Sequence, residues 1–250
     1  MKNIAVVLAG GMGKRMCSQV PKQFLMLSGR TVIEYSIERF NSHPSIDEVC
    51  VVIHPEWREK MEGIIEKNCW QKLKKVVDGG EERYMSTLNA VMAYIDEPDD
   101  TNLLIHDAAR PMVSSEIIDR VVATLQTHEA VGVAVPSTDT VWEVHPDFNG
   151  DMKLKDGELP RFIARIPERK LMWRAQTPQA FRLPLIRDAY QRALQDAMFQ
   201  ATDDCGVVRK YMPGTKIAVV EGEEINMKVT TPQDIDFLGK CLENNNCPNK

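Results

Sequence analysis

Residues 4–8, Ile-Ala-Val-Val-Leu, are apolar without interruption and run straight into the loop Ala9-Gly10-Gly11-Met12-Gly13-Lys14-Arg15. An apolar run with no polar alternation is the pattern of a strand buried on both faces, and such a strand needs a layer of helices on each side. Similar short runs recur at 48–54, 75–77, 103–106, 130–136 and 216–220, with helical periodicity between most of them. The pattern predicts an α/β fold, a mostly parallel layered sheet with helical crossovers. Sites in such sheets form beyond the carboxyl ends of the strands.

The helices carry their own punctuation. Thr31 and Glu34 form a capping box ahead of a face made by Ile33, Ile37 and Phe40. A helix over 55–67 is predicted to start at Pro55, and another at Thr231-Pro232, where a missing N–H costs nothing. Leu88, Met92 and Ile95 predict a third inward face, which puts Met92 in the core, and Ile117, Val121 and Leu125 a fourth after Ser114. Ile186, Ala189, Ala193 and Ala197 predict a helix over 183–198. Between 136 and about 167 alternation replaces the long apolar runs, and Asp156-Gly157 gives a turn signal, so a β-arm leaves the core there, followed much later by a polar tail at 243–250.

Composition narrows the function classes. The 250 residues carry 31 Lys plus Arg against 36 Asp plus Glu, a net −5, which argues against nucleic-acid binding driven by phosphate neutralisation. Any anion site must be local. Six cysteines without a C-x-x-C pair are too sparse for a disulfide scaffold, and no run approaches a membrane span, so a cytoplasmic protein with reduced thiols is expected. The five histidines show no zinc-ligand spacing, and no G-x-S-x-G elbow is present.

Against that acidic background, the loop after the first strand places Lys14, Arg15 and Lys22 within nine residues of one another, beside glycines whose N–H groups can converge on an anion. It reads as a phosphate cradle, although a flexible turn with surface cations explains the same residues. No G-K-[ST] makes it a Walker loop, and Met16 breaks a G-x-G-x-x-G fingerprint. Asp78-Gly79-Gly80 with Arg83 follows another strand, where a tight turn is the plainer reading. Asp107 ends a third, where a carboxylate suits Mg²⁺ or a ribose hydroxyl and equally a cap. Thr140, Arg165, Arg169 and residues 176–179 offer donors for a second, smaller anion, or only solvated charge. Lys228 stands alone among neutral residues before the last helix, as an active-site or a surface lysine.

Taken in order, these blocks resemble the 2-C-methyl-D-erythritol 4-phosphate cytidylyltransferase family over about residues 4–242: residues 8–16 with 21–24, 77–83 with Ser86, 106–111, 176–181 and 226–230. The resemblance implies a Rossmann-like nucleotidyltransferase fold in a single domain over 1–242, a homodimer joined through an arm at about 137–160, CTP as co-substrate and Mg²⁺ as cofactor, with no nucleic-acid or membrane partner. It implies that Ala9, Gly10, Gly11 and Gly13 hold the CTP phosphates and that Arg15, Lys22 and Lys228 are catalytic cations. Gly79, Gly80, Arg83 and Ser86 would recognise cytidine. Asp107 and Ala108 would lie near ribose and metal, and Thr140, Arg169 and Thr177 in the sugar-phosphate pocket, Arg169 coming from the partner chain. The chain reads Pro167-Glu168-Arg169-Lys170-Leu171-Met172-Trp173 where the family often has Asp-Arg before Leu-Trp. Ribitol 5-phosphate is the alternative acceptor, and a non-catalytic nucleotide-binding protein the alternative class; a dehydrogenase would need the missing third glycine and an acid where His54 ends the second strand.

Overall fold

The computed structural model describes residues 1–11, 20–146 and 160–243. In chain order these are β1 (Asn3–Ala9), a 3₁₀ turn (Lys22–Phe24), β2 (Met26–Leu27), β3 (Arg30–Thr31), α1 (Val32–Asn41) and β4 (Glu48–Ile53). A second 3₁₀ turn (Pro55–Trp57) leads to α2 (Arg58–Asn68), β5 (Leu73–Asp78), α3 (Arg83–Ala93), β6 (Asn102–Asp107), α4 (Ser115–Thr124) and β7 (Ala130–Pro136). Then come β8 (Glu143–Pro146), β9 (Arg161–Arg165), a 3₁₀ turn (Arg169–Leu171), β10 (Trp173–Arg182), α5 (Leu183–Ala193), α6 (Asp204–Tyr211), β11 (Ile217–Glu221) and α7 (Pro232–Glu243).

The main sheet has seven strands in the order β11-β7-β10-β6-β1-β4-β5. Every pairing is parallel except the two made by β10. All seven residues of β1 are buried. Ala5, Val7 and Ala9 join a core with Ile33 and Ile37 of α1, Met61 of α2 and Ile117 of α4. Ile4, Val6 and Leu8 join a second core with Ala90 of α3, Ile186 of α5 and Val207 of α6. The unbroken apolar run is thus required by helices on both faces, as a doubly covered parallel sheet demands. No helix among the described residues is long and apolar enough to cross a membrane.

Helices α1, α4 and α7 begin where the sequence places them. Ser114 Oγ accepts the Ile117 N–H at 3.2 Å, and Pro232 opens α7. Three expectations are corrected, and two elements were not foreseen. The α-helix after β4 begins at Arg58 rather than Pro55, because Pro55–Trp57 closes a tighter 3₁₀ turn in which His54 Nδ1 accepts the Glu56 N–H. On α3 the inward residues are Ser86, Thr87, Ala90 and Val91, while Met92 and Ile95 are 49% and 37% exposed. A periodicity argument weighted by bulk selects the wrong face here, since the start of α3 lies against backbone and only small side chains fit. The predicted helix over 183–198 stops at Ala193, leaving Ala197 exposed, and α6, which was not anticipated, covers the sheet beyond it. Strand β10 was not anticipated either, because Gln176, Thr177, Pro178 and Gln179 hide its period. Its pairing with β7 breaks between Gln176 and Gln179, and Pro178, which lacks an N–H, sits within that break.

An arm leaves the sheet after β7. Among the described residues its strands β8 and β9 pair only with each other, with Val144 opposite Ile163 and His145 opposite Phe162. The predicted Asp156-Gly157 turn and the tail 244–250 lie outside the described residues.

Candidate active site

Three neighbouring strand tips build the site. Leu8 of β1 pairs with Asp107 of β6, and Ala9 pairs with Ile53 of β4, whose carbonyl accepts the Gly79 N–H at 2.8 Å. The loops after β1 and β5 therefore meet. A Cβ on Gly10 would lie 2.6 Å from Ser86 Oγ, and one on Gly79 would lie 3.0 Å from Gly10 Cα. Glycine at both positions is what lets the two backbones and the start of α3 approach this closely. Ser86 Oγ also accepts the Gly80 N–H at 3.2 Å.

The turn Lys22–Phe24 is tied to the same place. The buried Gln23 donates from Nε2 to the carbonyls of Ala9 (2.7 Å) and Gly11 (3.1 Å), and the Phe24 ring stacks on Trp57 with centroids 5.3 Å apart. Lys22 is held beside the glycine loop by neighbours that the charge pattern alone does not reveal.

Asp107 sits at the floor. Its Oδ2 accepts from Lys228 Nζ at 2.6 Å, its Oδ1 from Arg83 Nε at 3.3 Å, and its N–H donates to Thr177 Oγ1 at 3.1 Å. Burial opposes ionisation of this carboxyl, but Arg83, Lys228 and Arg110 outweigh it and hold Asp107 well below the usual carboxylate range. The fully buried His106 is pushed down to about 4 by desolvation and is neutral at physiological pH. Its ring nitrogens lie 3.0 Å from Thr177 Oγ1 and 2.9 Å from the Arg110 carbonyl, so it braces the β6 tip against β10.

Two cavities open over this floor. The first, about 320 Å³, is lined by Ala9, Gly10, Gly11, Lys22, Gly80, Arg83, Ser86, Asp107, Ala108 and Lys228, together with Leu8, Gln23, Glu81, Glu82, Ala109 and Thr230. The second, about 300 Å³, shares Arg83, Asp107 and Lys228 with the first and adds Arg110, Gln176, Thr177, Gln179, Thr202 and Asp203, with Ala175. Arg110 donates to the carbonyls of Asn226 and Ala175, while its Nε has no hydrogen-bond partner among the described residues.

Of the residues selected from sequence, ten line the first cavity, Gly79 packs behind it against Gly10, and Thr177 lines the second. Gly13, Lys14 and Arg15 lie outside the described residues. Thr140 and Arg169 line neither cavity. Both are exposed at the base of the arm, where Arg169 Nη1 donates to the Thr138 carbonyl at 3.4 Å. Sequence reasoning singled out neither Gln23, whose only signal is its place beside Lys22, nor Arg110, three residues after Asp107. Among the described residues no group of three or more His, Cys, Asp or Glu could hold a metal. A single carboxylate already bonded to two cations does not make a resident metal site; it suits an ion that brings its other ligands with it.

The chain matches the family model IspD, 2-C-methyl-D-erythritol 4-phosphate cytidylyltransferase, over residues 3–243. It is 45% identical over 231 residues to the 2-C-methyl-D-erythritol 4-phosphate cytidylyltransferase of Thermobifida fusca, covering 92% of this chain and 89% of that one. It is 37% identical over 242 residues to the bifunctional ribulose 5-phosphate reductase/CDP-ribitol pyrophosphorylase Bcs1 of Haemophilus influenzae, covering 97% of this chain and 48% of that protein. In three dimensions it resembles the crystal structure of the 4-diphosphocytidyl-2C-methyl-D-erythritol synthase of Anaerococcus prevotii, with a TM-score of 0.79, 28% identity, and 97% and 96% of the two chains covered. A match over nearly the whole chain, on a fold whose strand tips gather the same motifs into one cavity, settles the lineage: the chain belongs to the IspD family of 2-C-methyl-D-erythritol 4-phosphate cytidylyltransferases.

Proposed function

We propose that the protein transfers CMP from CTP to 2-C-methyl-D-erythritol 4-phosphate, forming 4-diphosphocytidyl-2-C-methyl-D-erythritol and pyrophosphate. One observation carries this reading beyond family membership: Gly10 and Gly11, Gly80 with Arg83 and Ser86, and Asp107 with Lys228 come from separate segments yet line a single cavity with Lys22. Its volume, about 320 Å³, lies at the small-ligand scale, and backbone N–H groups with two lysines suit polyphosphate oxygens.

An oxygen of the acceptor's phosphate attacks the α-phosphorus of CTP. The bond from that phosphorus to the bridging oxygen breaks, and its electron pair leaves with pyrophosphate. A phosphate monoester with a second pKa near ~6 is already largely dianionic at neutral pH, so the attack needs no general base. The neutral, buried His106 fits that economy. The obstacle is bringing two anions together, which calls for fixed positive charge at the crowded phosphorus. Lys22 and Lys228 supply it, with Arg15 from the glycine loop. Arg83 and Lys228, bonded to Asp107, face both cavities and are oriented before substrate arrives. A Mg²⁺ ion carried in with CTP would find Asp107 at the cavity floor and would supply further positive charge at the triphosphate.

The acceptor phosphate occupies the second cavity, where Arg110 Nε lacks a partner among the described residues. The protein acts as a homodimer joined through the arms, and Thr140 and Arg169 reach the acceptor bound to the partner. Supporting this, Trp142, Phe162, Ile163 and Ile166 of the arm are 57%, 61%, 49% and 58% exposed. The similarity to Bcs1 favours ribitol 5-phosphate as a second reading of the acceptor. Pyrophosphate release by the purified protein with Mg–CTP and either polyol phosphate tests both. The expected outcome is turnover with methylerythritol 4-phosphate at a kcat/KM well above that with ribitol 5-phosphate. The reverse ranking replaces the acceptor, and silence with both removes the enzyme reading.

A further inference from the structure

We propose that Asp204 is a positioning residue that sets the Arg83 guanidinium on the wall between the two cavities, an inference that rests on the nucleotide reading given above. Asp204 lines neither cavity and is fully buried at the start of α6. It reaches the site through Arg83, whose Nη1 donates to Oδ2 at 2.8 Å. Its other oxygen accepts from the Tyr190 hydroxyl at 2.6 Å, and its backbone N–H donates to Gln179 Oε1 at 3.0 Å, so the carboxylate is fixed from α5 and the backbone that carries it from β10. The second hold on Arg83 is weaker: Nε lies 3.3 Å from Asp107, a carboxylate it shares with Lys228 at 2.6 Å. An anionic substrate that draws Lys228 away from Asp107 alters that second hold, and the Asp204 contact keeps the long arginine side chain from following.

Calorimetric titration with Mg–CTP, without acceptor, tests this alongside thermal melts. We expect Asp204→Asn to weaken CTP binding roughly 10–100-fold, the scale of a small misplacement of one contact, and Tyr190→Phe to stay within about twofold of wild type although both lower Tm. Should Asp204→Asn not fold, Arg83→Ala is compared with Arg83→Ala/Asp204→Asn, in which the buried ion pair is removed from both sides. Equal CTP affinity of these two supports action through Arg83; a weaker double variant overturns it. Wild-type affinity in a destabilised Asp204→Asn, or an equal loss in Tyr190→Phe, makes the role structural only. Failure of the wild-type protein to bind CTP removes the nucleotide reading itself, and this proposal with it.

Discussion

The cavity floor and the arm follow opposite physical rules within one chain. At the floor, charged and polar side chains are tied within their own chain: Asp107 takes Lys228 and Arg83, Arg83 takes Asp204, and Gln23 binds the carbonyls of Ala9 and Gly11. On the arm, β8 and β9 pair with each other and with no other strand among the described residues, and all five residues of β9 are exposed. Isolated two-stranded ribbons are marginal in water, and an apolar face as exposed as this one is a common mark of an interaction surface. The site side chains are held from within the fold, whereas the arm keeps apolar side chains bare among the described residues.

Lys22→Ala tests the first half of that contrast and carries the largest expected effect. Lys22 lines the first cavity on a turn that Gln23 and Phe24 anchor independently, so its side chain can be lost without loosening the turn. If it neutralises charge at the reacting phosphorus, kcat falls by ~10²–10³, about 2.7–4 kcal/mol, as on removing one preorganised electrostatic contact. The melting temperature and the oligomeric state stay as in wild type. A rise in KM alone, measured by pyrophosphate release, would demote Lys22 to a binding contact.

The same contrast explains what was legible beforehand. Ile4, Val6 and Leu8 announce a two-sided strand because both neighbouring layers are apolar, and Thr31 with Glu34 announces α1 because capping is local chemistry. The glycine and arginine blocks were legible because close backbone approach leaves few alternatives, as the 2.6 Å gap at Gly10 illustrates. Strand β10 was not, since its residues are chosen for bonds across the fold: Thr177 to the β6 tip, Gln176 to the Glu223 carbonyl and Gln179 to the start of α6. Asp204 was illegible for the same reason, its partner Arg83 lying 121 residues away. The inward face of α3 was misread because contact with a glycine loop selects small side chains over large ones.

Phe162→Asp probes the other half. Phe162 is 61% exposed, so a charge there costs little in the isolated chain but is intolerable in an apolar interface between arms. The expected result is a monomer by sedimentation equilibrium with CTP affinity unchanged. If the proposed dimer carries Arg169 into the neighbouring site, the acceptor's KM rises about tenfold or more, the loss of one charge-assisted contact of roughly 1.5–3 kcal/mol. A monomeric variant with an unaltered acceptor KM breaks the division of labour, because Thr140 and Arg169 would then have no part in the site.

Glu34 offers the finest test, since it supports the floor from a distance and touches neither cavity nor arm. Its Oε2 accepts the Thr31 N–H at 2.7 Å and the Thr31 hydroxyl at 2.8 Å, capping α1, and from α1 the Ser36 hydroxyl donates to the Ala108 carbonyl at 2.8 Å. Burial resists ionisation of Glu34, yet the bonds from Thr31 and Asn68 and the nearby Lys67 charge prevail, and its pKa is lowered. A depressed carboxylate contributes stability above its unfolded value, near ~4.3, and loses that contribution as pH falls through the folded value. Glu34→Gln is therefore expected to cost about 1 kcal/mol in urea unfolding at pH 7, the difference between a charged and a neutral acceptor. The gap to wild type should close as the pH drops below ~4. Oligomeric state should not change, because α1 does not contact the arm strands closely enough to transmit the loss. A gap that persists undiminished into acid would mean that the cap works through shape rather than charge, and that the floor is held by packing of α1 alone.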